Sequence, residues 1–414
     1  MKRTVASNIP RYFVYTALKG FGFGLFVAVW VIYLQQQRGL SLSQAALIDV
    51  TFFVAAAFAE VPTGIVADRF GRKSSMTVGA ALMSLGVLGW TVAPTLPLIM
   101  LAYVAMGVGI TFLSGAEDAF FYETLQVAGR GNDYTRLLGR ASAVFPGALA
   151  LGSVVGGLLA AINVVLPFLI AGVVLLITLG IVLTFREPQT DKSSTDQAHP
   201  SFGEVLRQSL SLVRTRPTLH YPILYLAIVP LASFMIESVF VQPQALALGL
   251  PIAGIGVLMM AVQLTGMAGS TWSERITARF GAGRVLYTAP MVICASLLLL
   301  AALQVLPALL LIALMGFLTA VVRPIMVSRI QEELSDDIRA TMLSMQSLTF
   351  TIVAAVSQPT LGAVADHWGL PAAYVTLAAT LSLLMVVLFA KSRQHCPQPV
   401  MAPCPEQVLE RVAE

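Results

Sequence analysis

The chain has 414 residues, 57% of them hydrophobic and only 11% charged, and its mean hydropathy is +0.82. Soluble domains carry about 25% charged residues, so a water-soluble globular protein is excluded and lipid becomes the solvent for most of the surface. The net charge of +4 and pI near 9.0 invite a nucleic-acid reading, but the basic residues are scattered through short segments between apolar runs.

A backbone in lipid must satisfy its polar groups internally, which leaves helices or closed barrels. The apolar runs here last roughly twenty residues and do not alternate with polar ones, which predicts an all-α membrane protein. The opening MKRTVASNIPRYF is basic, but the apolar run behind it is too long for a signal peptide and lacks a small-residue cleavage site. It reads as an uncleaved first span. Twelve spans follow in chain order, near 11–34, 43–66, 75–94, 98–122, 140–161, 165–185, 220–246, 252–273, 284–304, 307–329, 341–363 and 371–390.

The 25 Lys and Arg residues support this count. All but three fall at the chain ends or in alternate loops, on one side. Arg38 alone lies on the other, and Lys19 and Arg323 lie inside spans 1 and 10. By the positive-inside rule both termini and the central loop are cytoplasmic, and a bacterial cytoplasmic (inner) membrane is the expected location. Residues 187–200 read as a polar linker. In 201–214, Phe202, Val205, Leu206, Ser209, Leu210 and Val213 recur at helical spacing, as in an amphipathic helix on the membrane surface. The expected organisation is a six-helix bundle over 1–186, a cytoplasmic linker over 187–218, a second bundle over 219–391 and a tail over 392–414.

The halves echo each other. Arg69-Phe70-Gly71 follows span 2 and Arg279-Phe280-Gly281 follows span 8; Arg140-Ala141-Ser142 opens span 5 and Arg339-Ala340-Thr341 opens span 11. A duplicated six-helix unit around a central site is a transporter design.

The run Gly64-Ile-Val-Ala-Asp68-Arg69-Phe-Gly71-Arg72-Lys73, placed between spans 2 and 3, resembles the signature loop of the major facilitator superfamily (MFS), and span count and half-repeat resemble it too. That resemblance implies two pseudo-symmetric six-helix bundles, alternating access, and a cytoplasmic latch built from this loop. Asp68 would face the positive N-terminus of span 11 and Arg339; Glu60, one turn earlier, would join the latch. Gly152-Ser153-Val-Val-Gly156-Gly157 in span 5 resembles the Gly-Pro-x-x-Gly-Gly motif of the superfamily's drug/proton antiporters, with Ser153 in place of proline. Small-residue packing alone also accounts for Gly152, Gly156 and Gly157. In span 4 the antiporters often carry an arginine four residues before the glycine matching Gly107; this chain has Tyr103.

Ionisable groups inside a membrane are costly, so each is a functional candidate. They are Lys19 in span 1, Asp49 and Glu60 in span 2, Glu117 and Asp118 in span 4, Glu237 in span 7 and Arg323 in span 10. The resemblance implies that spans 1, 4, 7 and 10 line the cavity. At about 1.5 Å per residue, Lys19 lies roughly 12 Å from the cytoplasmic end of span 1, within reach of Glu117 or Asp118. Adjacent helical residues point about 100° apart, so one of the two is expected to face the lysine, Glu117 before Asp118. Glu237 and Arg323 differ in depth and are not expected to touch. Asp49, in the outer third, reads equally as a structural pair.

Desolvation disfavours a charged carboxylate, so proton and substrate can compete for one such group and couple their fluxes. The expected function is proton-coupled export of small drug-like organic molecules, an antiport. The runner-up is proton-coupled uptake or exchange of an organic anion, metabolite or lipid, which Lys19 and Arg323 would suit. A membrane sensor or enzyme is the alternative of another class, and neither is expected: His199, His220, His367 and His395 form no ligand pair inside a span, and no Walker loop is present. Cys294, Cys396 and Cys404 give no disulfide framework. The proton gradient stands in for a cofactor, no metal is expected, and the partners are a small-molecule substrate, protons and membrane lipid, with no nucleic acid. The chain is expected to be a monomer.

Overall fold

The computed structural model describes residues 5–188, 207, 220–332 and 336–395. The amphipathic stretch expected over 201–214 lies, apart from Arg207, outside the described residues, as does the tail from Cys396 onward. Every span of the sequence analysis falls on helical backbone, with span 1 broken near its middle, and no strand occurs among the described residues. Among the described residues eleven helices are long and apolar enough to cross a membrane, and a bent pair, taken as one span, makes the twelfth. The helices are α1 (Asn8–Val27), α2 (Leu42–Phe70), α3 (Arg72–Val92), α4 (Leu96–Val127), α5 (Tyr134–Ile162), α6 (Leu166–Thr184), α7 (His220–Met235), α8 (Ile252–Phe280), α9 (Ala282–Ala302), α10 (Leu310–Glu332), α11 (Asp336–Trp368) and α12 (Leu370–His395). This is an all-α transmembrane fold.

The helices outrun the apolar runs that predict them. Span 2 is expected to stop near 66, yet α2 continues to Phe70 and a single residue, Gly71, separates it from α3. Ala67, Asp68 and Arg69 extend it because a helix satisfies its own backbone wherever it emerges from the bilayer. The matching junction between α8 and α9 is again one residue, Gly281. Gly71 (φ +94°) and Gly281 (φ +80°) take a backbone conformation that side chains resist. Each is preceded by an arginine stacked on its neighbouring phenylalanine, Arg69 on Phe70 and Arg279 on Phe280. The repeated Arg-Phe-Gly triplet is thus a repeated helix break.

Span 1 is not the continuous helix expected over 11–34. It bends by 45° between α1 and a short segment over 30–37, and that segment ends in a π-helical turn, Tyr33–Gln37. The cause is an inserted side chain. The Gln242 amide nitrogen donates to Val27 O at 3.0 Å, and its oxygen accepts from Val31 N at 2.9 Å. One amide thus stands between the two backbone groups that a straight helix would pair directly. Span 7 has its own π-helical turn, Ile236–Phe240, between α7 and a short helix, Val241–Ala247.

The chain divides into two compact units. The first comprises residues 1–205, 242–263 and 354–366. In it α1 packs on α5 and α6, α3 on α4 and α6, and α2 on α4. The α1–α5 contact is backbone to backbone: any Cβ at Gly24, Gly152 or Gly156 would run into a carbonyl oxygen of the facing helix (Leu149, Phe21 and Leu25 respectively). Small residues are what permit such an approach in lipid, where helices gain no hydrophobic drive to associate. Ser153, in the position of the motif's proline, donates to Leu149 O at 2.9 Å and accepts from Gln263 Nε2 at 3.2 Å. In the second unit, residues 206–241, 264–353 and 367–414, α9 packs on α10 and α12, and α7 on α10 and α12.

Candidate functional site

The first unit brings a cation and an anion of the sequence analysis together. Tyr15 and Lys19 lie four residues apart on α1, on one helix face. Glu117 reaches them from α4. The Lys19 ammonium donates to Glu117 Oε1 at 2.6 Å and pairs also with Oε2. Tyr15 Oη donates to the same Oε1 at 2.5 Å. Both members of the ion pair are largely sequestered, with side-chain exposures of 13% and 12%.

The surroundings are aromatic. The Lys19 ammonium lies 5.3 Å from the ring centres of both Tyr15 and Phe145, so two π faces supplement the carboxylate. Tyr12, one turn before Tyr15, stacks on Phe121 of α4 at 4.3 Å, and Phe13 meets the same ring edge-on. Tyr15 packs edge-on against Phe185. These contacts fix the α1–α4 register and hence the pair. Asp118, the neighbour of Glu117, is exposed and pairs with no cation among the described residues.

Chemically, the pair is a neutral unit while both members are charged. Protonating Glu117 leaves a cation facing two rings and a phenol. Removing either member of a well-buried ion pair costs about 3–5 kcal/mol, so the state of Glu117 is coupled to whatever else can neutralise Lys19.

The remaining candidates fall elsewhere. Asp49 is buried, 4% exposed, and accepts from Tyr103 Oη at 3.2 Å. Tyr103, which stands where the antiporters have arginine, thereby sits against a carboxylate inside an aromatic cluster with Trp30, Phe52 and Trp90. Glu237 lies in the π-helical turn of span 7, a kind of helix irregularity frequent at functional sites. Arg323, in α10 beside Pro324, is exposed.

At the signature loop, Arg72 bridges two acids. Its Nη1 meets Asp68 at 2.5 Å, and its Nε is 3.5 Å from Glu123 of α4. Glu187 completes the loop, accepting from Arg72 N at 2.6 Å and Lys73 N at 2.9 Å, the first free amides of α3. Glu60 is exposed. The side chain of Arg339 lies outside the described residues, so its expected pairing with Asp68 does too.

Sequence reasoning missed Tyr15, Glu187 and Gln242. Tyr15 carries a signal in its four-residue spacing from Lys19. Glu187 and Gln242 carry none, since their partners are backbone groups more than a hundred residues away.

Comparison with known proteins bears on the family. Residues 12–242, more than half of the chain, match the Major Facilitator Superfamily. In Bacillus subtilis (strain 168), the uncharacterized MFS-type transporter YxaM is 24% identical over 207 residues, 49% of this chain and 50% of that one. Multidrug resistance protein 1 of the same organism is 26% identical over 130 residues, 31% of this chain and 32% of that one. The matches thus span about half and about a third of those relatives. The crystal structure of the nucleoside transporter NupG superimposes with a TM-score of 0.74 at 14% identity, covering 92% of this chain and 98% of that one. This chain belongs to the Major Facilitator Superfamily of membrane transporters.

Proposed function

We propose that this protein is a secondary active transporter that works by alternating access and couples proton movement to the export of small, drug-like organic molecules through Lys19 and Glu117. The observation that carries the reading is the sequestered Lys19–Glu117 pair, with Tyr15 on the same carboxylate oxygen. While paired, the two groups cancel each other's charge beside the part-exposed rings of Phe13 on α1 and Phe145 on α5, which suits an apolar aromatic substrate. Proton uptake by Glu117 unbalances that face, so substrate and proton favour different states. The partial similarity to Multidrug resistance protein 1 supports export. The charge distribution supports both termini on the cytoplasmic side of the membrane; in this reading the membrane is a bacterial cytoplasmic one and the proton gradient is the drive.

A second reading has an observation of its own. The partner of Glu117 is a fixed cation, and a protonated Glu117 would leave Lys19 available to an anionic substrate. Proton and organic anion would then load together, giving uptake or exchange.

One ligand screen separates the two. Thermal stability of the purified protein is measured against neutral or cationic aromatic compounds and against organic anions, at pH 6 and pH 8. A ligand that binds the native state raises stability by mass action. The export reading expects stabilisation by the first class, stronger at pH 8, where fewer protons compete with the ligand. Stabilisation by anions, stronger at pH 6, selects the second reading. Ligands whose effect is the same at both pH values and unchanged by Glu117→Gln would overturn both.

A further inference from the structure

The signature run has a second copy that the half-repeat does not account for. Residues 64–71 read Gly-Ile-Val-Ala-Asp-Arg-Phe-Gly, and residues 362–369 read Gly-Ala-Val-Ala-Asp-His-Trp-Gly. Five positions are identical, and Phe70 and Trp368 are both aromatic. Each run closes its helix the same way, α2 at Phe70 before Gly71 (φ +94°) and α11 at Trp368 before Gly369 (φ +84°). Strict alternation of spans makes α2 and α11 antiparallel, so the two runs end at opposite membrane faces.

The second copy is engaged. Asp366 straddles the start of α2: its Oδ1 accepts from Leu42 N at 2.9 Å and its Oδ2 from Ser43 N at 3.0 Å. These are the first two amides of α2, which have no acceptor within the helix. Ser41 caps the third amide of the same turn, its hydroxyl accepting from Gln44 N. Gly362 allows the approach, since a Cβ there would lie 2.7 Å from Ser43 Cα. Asp366 and α2 both belong to the first unit. At the first copy, a Cβ at Gly64 would meet nothing within 4 Å among the described residues, and Asp68 pairs across the Gly71 break with Arg72 at the start of α3.

We infer that residues 362–369 form a second clasp, in which Asp366 closes on the N-terminus of α2 as the inverted counterpart of the signature loop, and that the two clasps engage in alternation. The inference rests on the alternating-access reading above. The sequence logic is reciprocal. Helix α2 carries one Gly-x-Val-Ala-Asp run at its C-terminal end and receives the other at its N-terminal end. Helix α11 would do the reverse, receiving Asp68. A carboxylate at a helix N-terminus biases an equilibrium by about two- to thirtyfold. That is enough to hold one face closed and little enough for substrate binding to release it.

The test uses the full chain in lipid nanodiscs, with Cys294, Cys396 and Cys404 changed to serine. Spin labels are introduced in two pairs, at positions 37 and 370 and at positions 74 and 333, and electron–electron distances are measured. The wild type is expected to show two distance populations at each pair, long at one where short at the other. Asp366→Asn should raise the ratio of long to short distances at 37–370 about five- to tenfold, and Asp68→Asn should shift it the opposite way. Leu42→Pro is the second route: it deletes one of the two amides without touching Asp366. Proline is tolerated in the first helical turn, and Ser41 is already extended (ψ 167°), as the residue before proline must be. Two wild-type populations that neither Asp366→Asn nor Leu42→Pro shifts would overturn the clasp. A single distance at both pairs, with and without ligand, would overturn the alternating-access reading beneath it.

Discussion

Glu117→Gln is expected to be more damaging alone than together with Lys19→Met. In the wild type Lys19 has one carboxylate and two aromatic faces, in a place where its side chain is 13% exposed. Glutamine retains an acceptor for Tyr15 but removes the counter-charge, leaving a largely desolvated ammonium. Breaking a buried pair from one side costs about 3–5 kcal/mol; the residual exposure and the ring contacts place this case near about 3. Replacing both members by uncharged groups of similar volume is often close to neutral, because their desolvation is relieved together. At about 2 °C per kcal/mol for a unit of this size, each single variant should melt roughly 6 °C lower, and the double variant within about 2 °C of wild type. The assay is a double-mutant cycle by thermal unfolding in a mild detergent at pH 8. Strictly additive losses, with the double variant near 12 °C below wild type by the same scaling, would refute the claim that these groups act as a pair.

Three further outcomes follow from the geometry. Gly156→Leu should prevent stable assembly, or lower stability by at least about 2 kcal/mol, because its side chain would enter the Leu25 backbone of α1; thermal unfolding and yield after solubilisation measure it. Glu187→Ala removes the acceptor of two α3 amides and should weaken the start of that helix by about 1 kcal/mol, seen as roughly fivefold faster hydrogen exchange at the Arg72 and Lys73 amides with little change at Trp90. Gln242→Leu should cost about 2–3 kcal/mol, since Val27 O and Val31 N lose the amide that joins them across the bend; stability equal to wild type would mean that α1 closes this gap by itself.

Much of the fold is legible in the sequence because lipid imposes it. Apolar length sets the spans, and the alternation of Arg and Lys loops checks their number. What escapes has an identifiable physical origin. Hydropathy sees the bilayer and not the helix, so α2 runs four residues past its apolar limit, through Ala67, Asp68, Arg69 and Phe70. The bend of span 1 has no proline or glycine at its centre. It is made by Gln242, a residue of another span, and no local pattern in residues 27–31 announces it.

The site shows the same division. Lys19 and Glu117 stand out as charges where charges are costly, and depth counted at about 1.5 Å per residue brings them together. Tyr15 escapes because a tyrosine in an apolar run is ordinary. Its role appears only when Glu117 Oε1 is found to accept from it. Tyr103 is legible as a departure from the antiporter pattern, but its partner Asp49 is not. Asp366 lies where the halves show no correspondence in register, since its run matches the end of α2 and not the end of α5.

The central claim is that Glu117 links proton movement to transport. It is tested most directly in proteoliposomes, with a ligand found by the screen at two pH values, by comparing its flux under an imposed pH gradient with its exchange in the absence of one. The wild type should be accelerated by the gradient, whereas Glu117→Gln should retain exchange and lose the acceleration. Acceleration of Glu117→Gln equal to that of wild type would contradict the account.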